Sequence, residues 1–213
     1  METESEGAYR GPEAYALADW RRRISELYKR VRRAPSPRDG WQVWRDTRDA
    51  LFRNHPMSPL PPGEREKFAG LPYHDYDDTL RFAVALESLD RADPITFELG
   101  ADGTTQIHAS ARTLGLSEPL GGELTLYRIG GYGGGLFLPF GDGTNGTTSY
   151  GGGRYLMDTI KGADPGLDAD GRLIVDFNFA YNPSCAYSPA FVCPLSPPEN
   201  RLAAAVEAGE RFR

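Results

Sequence analysis

The first third of the chain carries apolar residues at helical spacing. Trp20, Ile24, Leu27 and Val31 stand at i, i+4, i+7 and i+11, which places them along one face of an α-helix. A similar pattern predicts a second helix over residues 41–54. The stretch "PPGEREKFAG" predicts a short third helix, because it has proline at its start and glycine at its end.

After residue 72 the apolar period changes to two, which is typical of strands. Turn residues separate segments that are rich in β-branched and aromatic side chains, each with a polar alternate face. Asp102-Gly103 and Asn145-Gly146 predict two-residue type I′ hairpins. The predicted strands are 80–87, 95–100, 104–113, 122–130, 135–140, 149–158 and 172–179. They indicate an α+β fold, in which an antiparallel, barrel-like or strongly curved sheet is flanked by the N-terminal helices.

The last residues predict a short C-terminal helix over 197–208. Ser196 and Glu199 have the spacing of a capping box, in which each side chain satisfies a backbone N–H group of the other. Pro197 would occupy the first helical position, and Gly209 would follow the last turn.

A chain of 213 residues is long enough for one domain with a sizeable core. We expect residues 1–12 to be a flexible tail and 13–70 to be a helical segment packed on the sheet. Residues 71–213 would form a β-rich domain that includes a C-terminal cap segment. The whole chain is predicted to be a single globular unit.

Charge and composition limit the classes of partner that we expect. A net charge of -6 argues against binding to nucleic acid or to anionic membranes, because both depend on clustered Lys and Arg. The chain has no apolar run of membrane-spanning length and no N-terminal apolar segment typical of a signal peptide, so we expect a cytoplasmic protein with reduced cysteines. Nothing in the pattern indicates an oligomeric state.

Three blocks of the sequence resemble the bacterial and archaeal family of unknown function DUF1684. They are "WRDTRDALFRNHPMSPLPPGEREKFAGLPYHDYDDTLRF", "LFLPFGDGTNGTTSYGGGRYL" and "DFNFAYNPSCAYSPAFVCPLSPPENRL". The resemblance covers roughly residues 40–210 and implies a β-rich domain with N-terminal helices. It implies no activity. The "YGGGRY" stretch departs from the family pattern, where a bulkier residue between the glycines is expected.

The third block contains both cysteines, Cys185 and Cys193, in a C-x7-C arrangement. This spacing is too wide for a zinc knuckle, and there is no second pair to complete four ligands, so no metal site is predicted. The pair can be two buried thiols, or a clamp that closes only under oxidation. Alternatively, one of them can be a nucleophile, since Cys193 lies just before the predicted C-terminal helix.

Polar and aromatic residues around the same block are candidates for ligand contacts. Asp176 and Asn178 fall on one face of the last strand, although both can also shape Asx-turns. Arg154 follows a glycine-rich stretch and offers a planar fork for an anion or a carboxylate. No dinucleotide or P-loop motif is present, so no cofactor is identified. The candidate ligand-binding residues are Arg154, Tyr155, Asp176, Asn178, Tyr181, Asn182, Tyr187, Glu199 and Asn200.

The leading hypothesis is a small-molecule-binding domain whose pocket lies beneath a cap formed by residues 182–200. Prolines and aromatic residues would stiffen this cap and lower the entropy cost of ordering it. One alternative is an enzyme that acts on a small substrate through Cys185 or Cys193, or through Asp176 with Glu199. A further alternative is a structural or partner-binding protein without a pocket.

Overall fold

The chain begins with a helical layer. The computed structural model describes residues 12–90, 93–100 and 103–212, so residues 1–11 of the predicted tail lie outside the described part. Helices α1 (Pro12–Val31), α2 (Pro37–Asn54) and the short α3 (Pro62–Arg65) precede the strands. Helix α2 begins four residues earlier than predicted, because Ser36 caps it and Pro37 occupies its first turn.

Seven strands of the described residues form one antiparallel sheet in the order β6-β5-β4-β3-β1-β7, with β2 also paired to β3. Tyr155 of β6 and Tyr181, which follows β7, exchange backbone hydrogen bonds of 2.9 and 3.1 Å and so bring the two sheet edges together. The strands are β1 (Arg81–Ser88), β2 (Ile95–Glu98), β3 (Thr104–Leu114), β4 (Thr125–Ile129), β5 (Gly135–Phe140), β6 (Arg154–Asp158) and β7 (Leu173–Asp176). Helix α4 (Ser117–Leu120) connects β3 to β4. The predicted α+β fold, a nearly closed barrel-shaped sheet with N-terminal helices, is confirmed.

The sheet is covered on both faces where the helices meet it. One apolar cluster contains Leu126, Leu156 and Val175 of the strands together with Leu202 and Val206 of the C-terminal segment. A second cluster joins α1 and α2 to residues that follow β6 and β7. Every residue of β6 and β7 is buried, so the polar alternate face predicted for these strands is wrong.

The predicted hairpin at Asn145-Gly146 is also wrong. A type I′ turn needs a positive φ at both central residues, but only Gly146, at 79°, has one. A loop over residues 141–153 joins β5 to β6 instead. Asp102 of the other predicted hairpin lies outside the described residues, while Gly103 adopts a φ of 76°.

The predicted C-terminal helix is reduced to one 3-10 turn, Pro198–Asn200. Beyond it the backbone bonds to distant parts of the chain rather than to itself. The N–H groups of Leu202 and Glu210, for example, donate to the carbonyls of Gly141 and Ala180 at 2.9 and 2.8 Å. Tertiary pairing and burial of apolar side chains therefore override the helix propensity of the alanine run.

Candidate functional site

A cavity of about 60 Å³ lies between α1, α2 and the segment 181–187. Its position follows from the helical stripes, because Trp20, Ile24 and Tyr28 recur every four residues along α1 and face α2 and the sheet. The aromatic side chains of the wall are Trp20, Tyr28, Trp44, Phe52, Tyr155, Tyr181 and Tyr187. Besides the tyrosines, the polar side chains of the wall are Arg48, Lys161, Asn182 and Ser184.

Arg48 and Glu210 form a buried ion pair at this wall. Arg48 Nη2 donates to Glu210 Oε2 at 2.7 Å, and the Glu210 side chain is fully buried. The same carboxylate accepts hydrogen bonds from the Asn182 backbone N–H at 3.1 Å and from the Tyr187 hydroxyl. Glu210 thus connects α2, the 181–187 segment and the C-terminal strand-like segment.

Aromatic rings surround the Arg48 guanidinium. Its central carbon lies 4.9 Å from the ring centre of Trp44 and 5.1 Å from that of Tyr181, within cation–π range. Burial works against the charge, but the neighbouring Tyr73 hydroxyl and Glu210 carboxylate outweigh it and raise the pKa of Arg48 above its usual range. The side chain is therefore a permanent cation.

Two polar groups of the wall lack a partner among the described residues. Arg48 Nε donates to the Tyr73 hydroxyl and Nη2 to Glu210, whereas no acceptor is found for Nη1. Asn182 Nδ2 donates to the Arg211 carbonyl at 3.0 Å, while its Oδ1 is buried without a donor. Both side chains are buried, with 6% of Arg48 and 5% of Asn182 exposed, and Asn182 Oδ1 itself is shielded from water.

The cavity wall is close to neutral. Arg48 is balanced by Glu210, and Lys161 by the Asp158 carboxylate at 3.3 Å. Burial raises the pKa of the Tyr28 hydroxyl to about 12, and it raises the pKa values of Tyr181 and Tyr187 well above 10.0. These hydroxyls remain protonated at neutral pH and act as neutral hydrogen-bonding groups.

Four of the predicted ligand-binding residues meet at this cavity: Tyr155, Tyr181, Asn182 and Tyr187. A backbone bridge between Tyr155 of β6 and Tyr181, which lies beyond the turn that follows β7, brings the first two together, with ring centres 5.7 Å apart. The remaining candidates lie elsewhere, so the structure does not assemble the predicted residues in one pocket.

Arg154 is fully buried and does not line the cavity. The carboxylate that Arg154 binds is that of Asp142, at 2.8 Å from Arg154 Nη2. The guanidinium also donates to the backbone carbonyls of Val206, Ala208 and Glu210. Its role is to fasten the C-terminal segment to the sheet.

Asp176 and Asn178 shape the chain after β7. Asp176 Oδ1 accepts hydrogen bonds from the Asn178 backbone and side-chain amides, and Asn178 also binds the backbone of Asp77. Burial raises the pKa of Asp176 to about 6, although the bonds from Asn178 oppose this shift. Asp176 lines a second cavity of about 300 Å³ near Arg81, whose Nε lies 3.6 Å from its carboxylate.

Glu199 and Asn200 lie beside β4, away from Asp176. Glu199 is exposed and accepts a hydrogen bond of 2.8 Å from the Tyr127 hydroxyl. The Ser196 hydroxyl accepts no helix N–H, so the predicted capping box is wrong. The Asn200 amide is fully engaged by the backbone of Thr125 and Pro139, which pins the segment to β4 and β5.

Cys185 and Cys193 are free thiols next to one another, and neither lines the 60 Å³ cavity. The Cys185 N–H donates to Cys193 Sγ at 3.4 Å, and the Tyr150 hydroxyl lies 3.6 Å from Cys185 Sγ. The described residues contain no group of three or more His, Cys, Asp or Glu side chains that could hold a metal ion.

Comparison with known families shows to which family the chain belongs. A family described as "Protein of unknown function (DUF1684)" matches residues 66–211. The chain belongs to this family. The matched region of this DUF1684 protein covers the whole sheet, the 181–187 segment and Glu210, whereas α1 and α2 precede it.

A solved relative shares the fold. The solution NMR structure of an uncharacterised protein of Haloarcula marismortui is 36% identical in sequence, with a TM-score of 0.55. The comparison covers 80% of this chain and 91% of that one. No protein with a curated description matches this DUF1684 chain. Among the described helices, none is both long and apolar enough to cross a membrane.

The sequence patterns missed Arg48 and Glu210. One signal for Arg48 existed, because it stands four residues after Trp44 and three before Leu51 and so falls on the buried stripe of α2. A cation on such a stripe indicates a buried partner. Glu210 carried no comparable signal, since it was placed beyond the end of a helix that does not form.

Proposed function

We propose that this protein binds a small, neutral, amide-like molecule in the cavity between α1, α2 and the segment 181–187. The observation that supports this most directly is the pair of unpartnered groups on its wall, the donor Arg48 Nη1 and the acceptor Asn182 Oδ1. Arg48 Nη2 and the backbone N–H of Asn182 both donate to Glu210 Oε2, and both residues line the cavity, so the two residues are neighbours on its wall.

The charges around these groups favour a neutral ligand over an ion. A carboxylate would meet the Arg48 donor but would also approach Asn182 Oδ1 and the buried Glu210 carboxylate. An ammonium group would lie against the Arg48 cation. A carbonyl oxygen next to an N–H group offers one acceptor and one donor, which matches the two unpartnered groups, and the aromatic wall suits its planar shape.

The volume limits the size and affinity of such a ligand. A cavity of about 60 Å³ has room for roughly four water molecules, or a ligand of about four non-hydrogen atoms such as acetamide. At a ceiling of about -1.5 kcal/mol per atom, binding would reach roughly -6 kcal/mol, a Kd on the order of tens of micromolar at best. Larger amides would require residues 182–200 to move.

The three tryptophans provide a test within one protein. The indole N–H of Trp44 donates to the Tyr28 hydroxyl at the cavity wall, and Trp20 lines the same wall. Trp41 packs instead on Tyr76 and does not line the cavity. In an NMR titration with acetamide, we expect saturable shifts of the Trp44 and Trp20 indole signals and a constant Trp41 signal.

Acetone and acetate are matched control ligands, since each is similar in size but lacks the donor or carries a charge. Both should bind more weakly than acetamide. Ala163→Val adds two methyl groups to the wall and should abolish the shifts, because they would fill part of the cavity. Ala163 lies in an extended bridge, a backbone conformation that suits a β-branched side chain. Ala50→Val on the exposed face of α2 is the control variant. Shifts that survive Ala163→Val, or equal binding of all three ligands, would contradict the proposal.

A further inference from the structure

The two thiols of the 182–200 segment are arranged as a reactive pair. The Cys185 N–H donates to Cys193 Sγ at 3.4 Å, and the two thiols also interact directly, although the residues are eight positions apart. Cys185 lies in a 3-10 turn that follows Pro183, and Cys193 is followed by Pro194. The two prolines restrict the backbone near both cysteines. Both cysteines are half-buried, so a small reagent can reach them.

The surroundings distinguish the two sulfurs. The Cys193 thiol and the Tyr150 hydroxyl are directed at Cys185 Sγ, and they lower the pKa of Cys185 to about 6 although burial opposes this. The Lys161 ammonium acts in the same direction. The pKa of Cys193 is raised, first because it donates to Cys185 and then because it is buried. Tyr155 of β6 is a further titratable group near the pair, and because burial raises its pKa well above 10.0 it stays protonated.

We propose that Cys185 and Cys193 are a peroxide-reactive dithiol, with Cys185 as the attacking sulfur and Cys193 as the resolving one. The Cys185 thiolate attacks one oxygen of a hydroperoxide, the O–O bond breaks, and a sulfenic acid and hydroxide (or alkoxide) form. Cys193 then attacks the Cys185 sulfur, its proton leaves with the sulfenic hydroxyl as water, and an S–S bond forms. The two thiols lose two electrons, and the peroxide gains them.

This arrangement has the features that such chemistry requires. An attacking thiol works best when its pKa is near the ambient pH, because a thiolate is then present and still nucleophilic. A second thiol at contact distance prevents further oxidation by capturing the sulfenic acid. The proposal does not depend on ligand binding in the cavity, so either one can fail without the other.

The first test is the pH dependence of alkylation. The native protein, freshly reduced, is treated with iodoacetamide, and each cysteine is followed by peptide mass spectrometry. The rate at Cys185 should be half-maximal near pH 6, whereas an ordinary thiol reacts with a midpoint near 8.5. Cys193→Ala should raise the Cys185 midpoint by roughly one unit or more, and Tyr150→Phe by less, because each removes a donor to the thiolate. A Cys185 midpoint above pH 8 in the natural protein would overturn the assignment.

The second test follows the oxidation itself. A small molar excess of hydrogen peroxide should lower the mass of the natural protein by two hydrogen atoms and leave neither cysteine open to alkylation. In Cys193→Ala, dimedone should trap a sulfenic acid at Cys185, while Cys185→Ala should yield none at Cys193. Two free thiols after peroxide treatment of the natural protein, or a dimedone adduct on Cys193 alone, would refute the proposal even if a variant failed to fold.

Discussion

Buried polar side chains divide into two groups according to what their polar atoms bind. Arg154, Asn178 and Asn200 use nearly all their donors and acceptors to hold distant backbone segments, so they contribute to the fold. Arg154 Nε also lacks a partner but lies away from the 60 Å³ cavity, whereas the unpartnered Arg48 Nη1 and Asn182 Oδ1 belong to residues of its wall. An unsatisfied buried group such as Asn182 Oδ1 costs about 1–3 kcal/mol, which supports the ligand site proposed for this cavity.

Arg154→Lys should destabilise the protein although the charge is kept. Lysine cannot reach Asp142 and the three carbonyls together, so several buried acceptors would lose their donor. We expect the free energy of unfolding to fall by about 2–4 kcal/mol. Urea denaturation measures this change, with Arg112→Lys at an exposed position of β3 as a control. A loss no larger than in the control would show that the guanidinium fork is dispensable.

Asp176 should make stability depend on pH. Its pKa is about 6 in the folded chain and 3.8 when unperturbed, so the folded state binds the proton more tightly than the unfolded state. The stabilisation by the protonated form is present below 3.8 and is lost as the pH rises through about 6. Relative to Asp176→Asn, the free energy of unfolding of the natural protein should fall by up to about 3 kcal/mol over this range. Parallel urea titrations of both proteins check this, and a constant difference would contradict it.

Two stretches with the same local signal form different elements. "SPRD" at 36–39 and "SPPE" at 196–199 both place serine before proline and an acidic residue at the third following position. Only the first begins a long helix, in which Ser36 Oγ accepts the Asp39 N–H at 3.2 Å. The residues after the second bind the barrel and its loops through their backbone. The local signal is sufficient only where the following residues have an apolar stripe to bury.

Removing each serine hydroxyl tests this difference. Ser36→Ala should lower the free energy of unfolding by about 0.5–2 kcal/mol, because the α2 N-terminus loses its cap. Ser196→Ala should change it by less than about 0.5 kcal/mol, since its hydroxyl caps no helix. Thermal or urea unfolding of the two variants gives the comparison. Equal losses would mean that Ser196 has a structural role that its contacts do not explain.

The sequence predicted the elements that depend on local periodicity. The apolar stripe predicted a helix where α1 forms, and the bounds predicted for β1, β3 and β5 lie within about one residue of the observed bounds. The helix predicted for the C-terminal segment was wrong, because the backbone of this segment bonds to residues such as Gly141 and Ala180, which are far away in sequence. The two-residue hairpin predicted at Asn145-Gly146 was wrong because these residues belong to a longer loop, in which the Thr144 and Ser149 hydroxyls bind each other.

In the whole molecule, Arg48 and Glu210 join the helical layer to the C-terminal segment across 162 positions of sequence. No local pattern predicts contacts of this separation, so the sequence predicted only some of the residues that line the cavity. The sequence did predict four wall residues, from the block that contains the cysteines and from the glycine-rich block before it. They are Tyr155, Tyr181, Asn182 and Tyr187. Their partners on α1 and α2 became apparent only once the layers were packed together.

Glu210→Gln should weaken the joint between these layers. The change leaves the Arg48 cation buried without its counter-charge, so we expect a loss of about 3–5 kcal/mol in the free energy of unfolding. The double variant with Arg48→Met should lose less than the sum of the single variants, because the uncompensated charge is also removed. Additive losses in urea denaturation would show that the two side chains do not depend on each other.

A crystal structure of the protein with acetamide would test the proposed binding site most directly. We expect one molecule in the cavity, with its oxygen within hydrogen-bond distance of Arg48 Nη1 and its nitrogen within the same range of Asn182 Oδ1. The aromatic side chains of the wall should keep their positions. Acetamide bound elsewhere, or a cavity that contains only water at a ligand concentration well above the expected Kd, would contradict the small-molecule function proposed for this site.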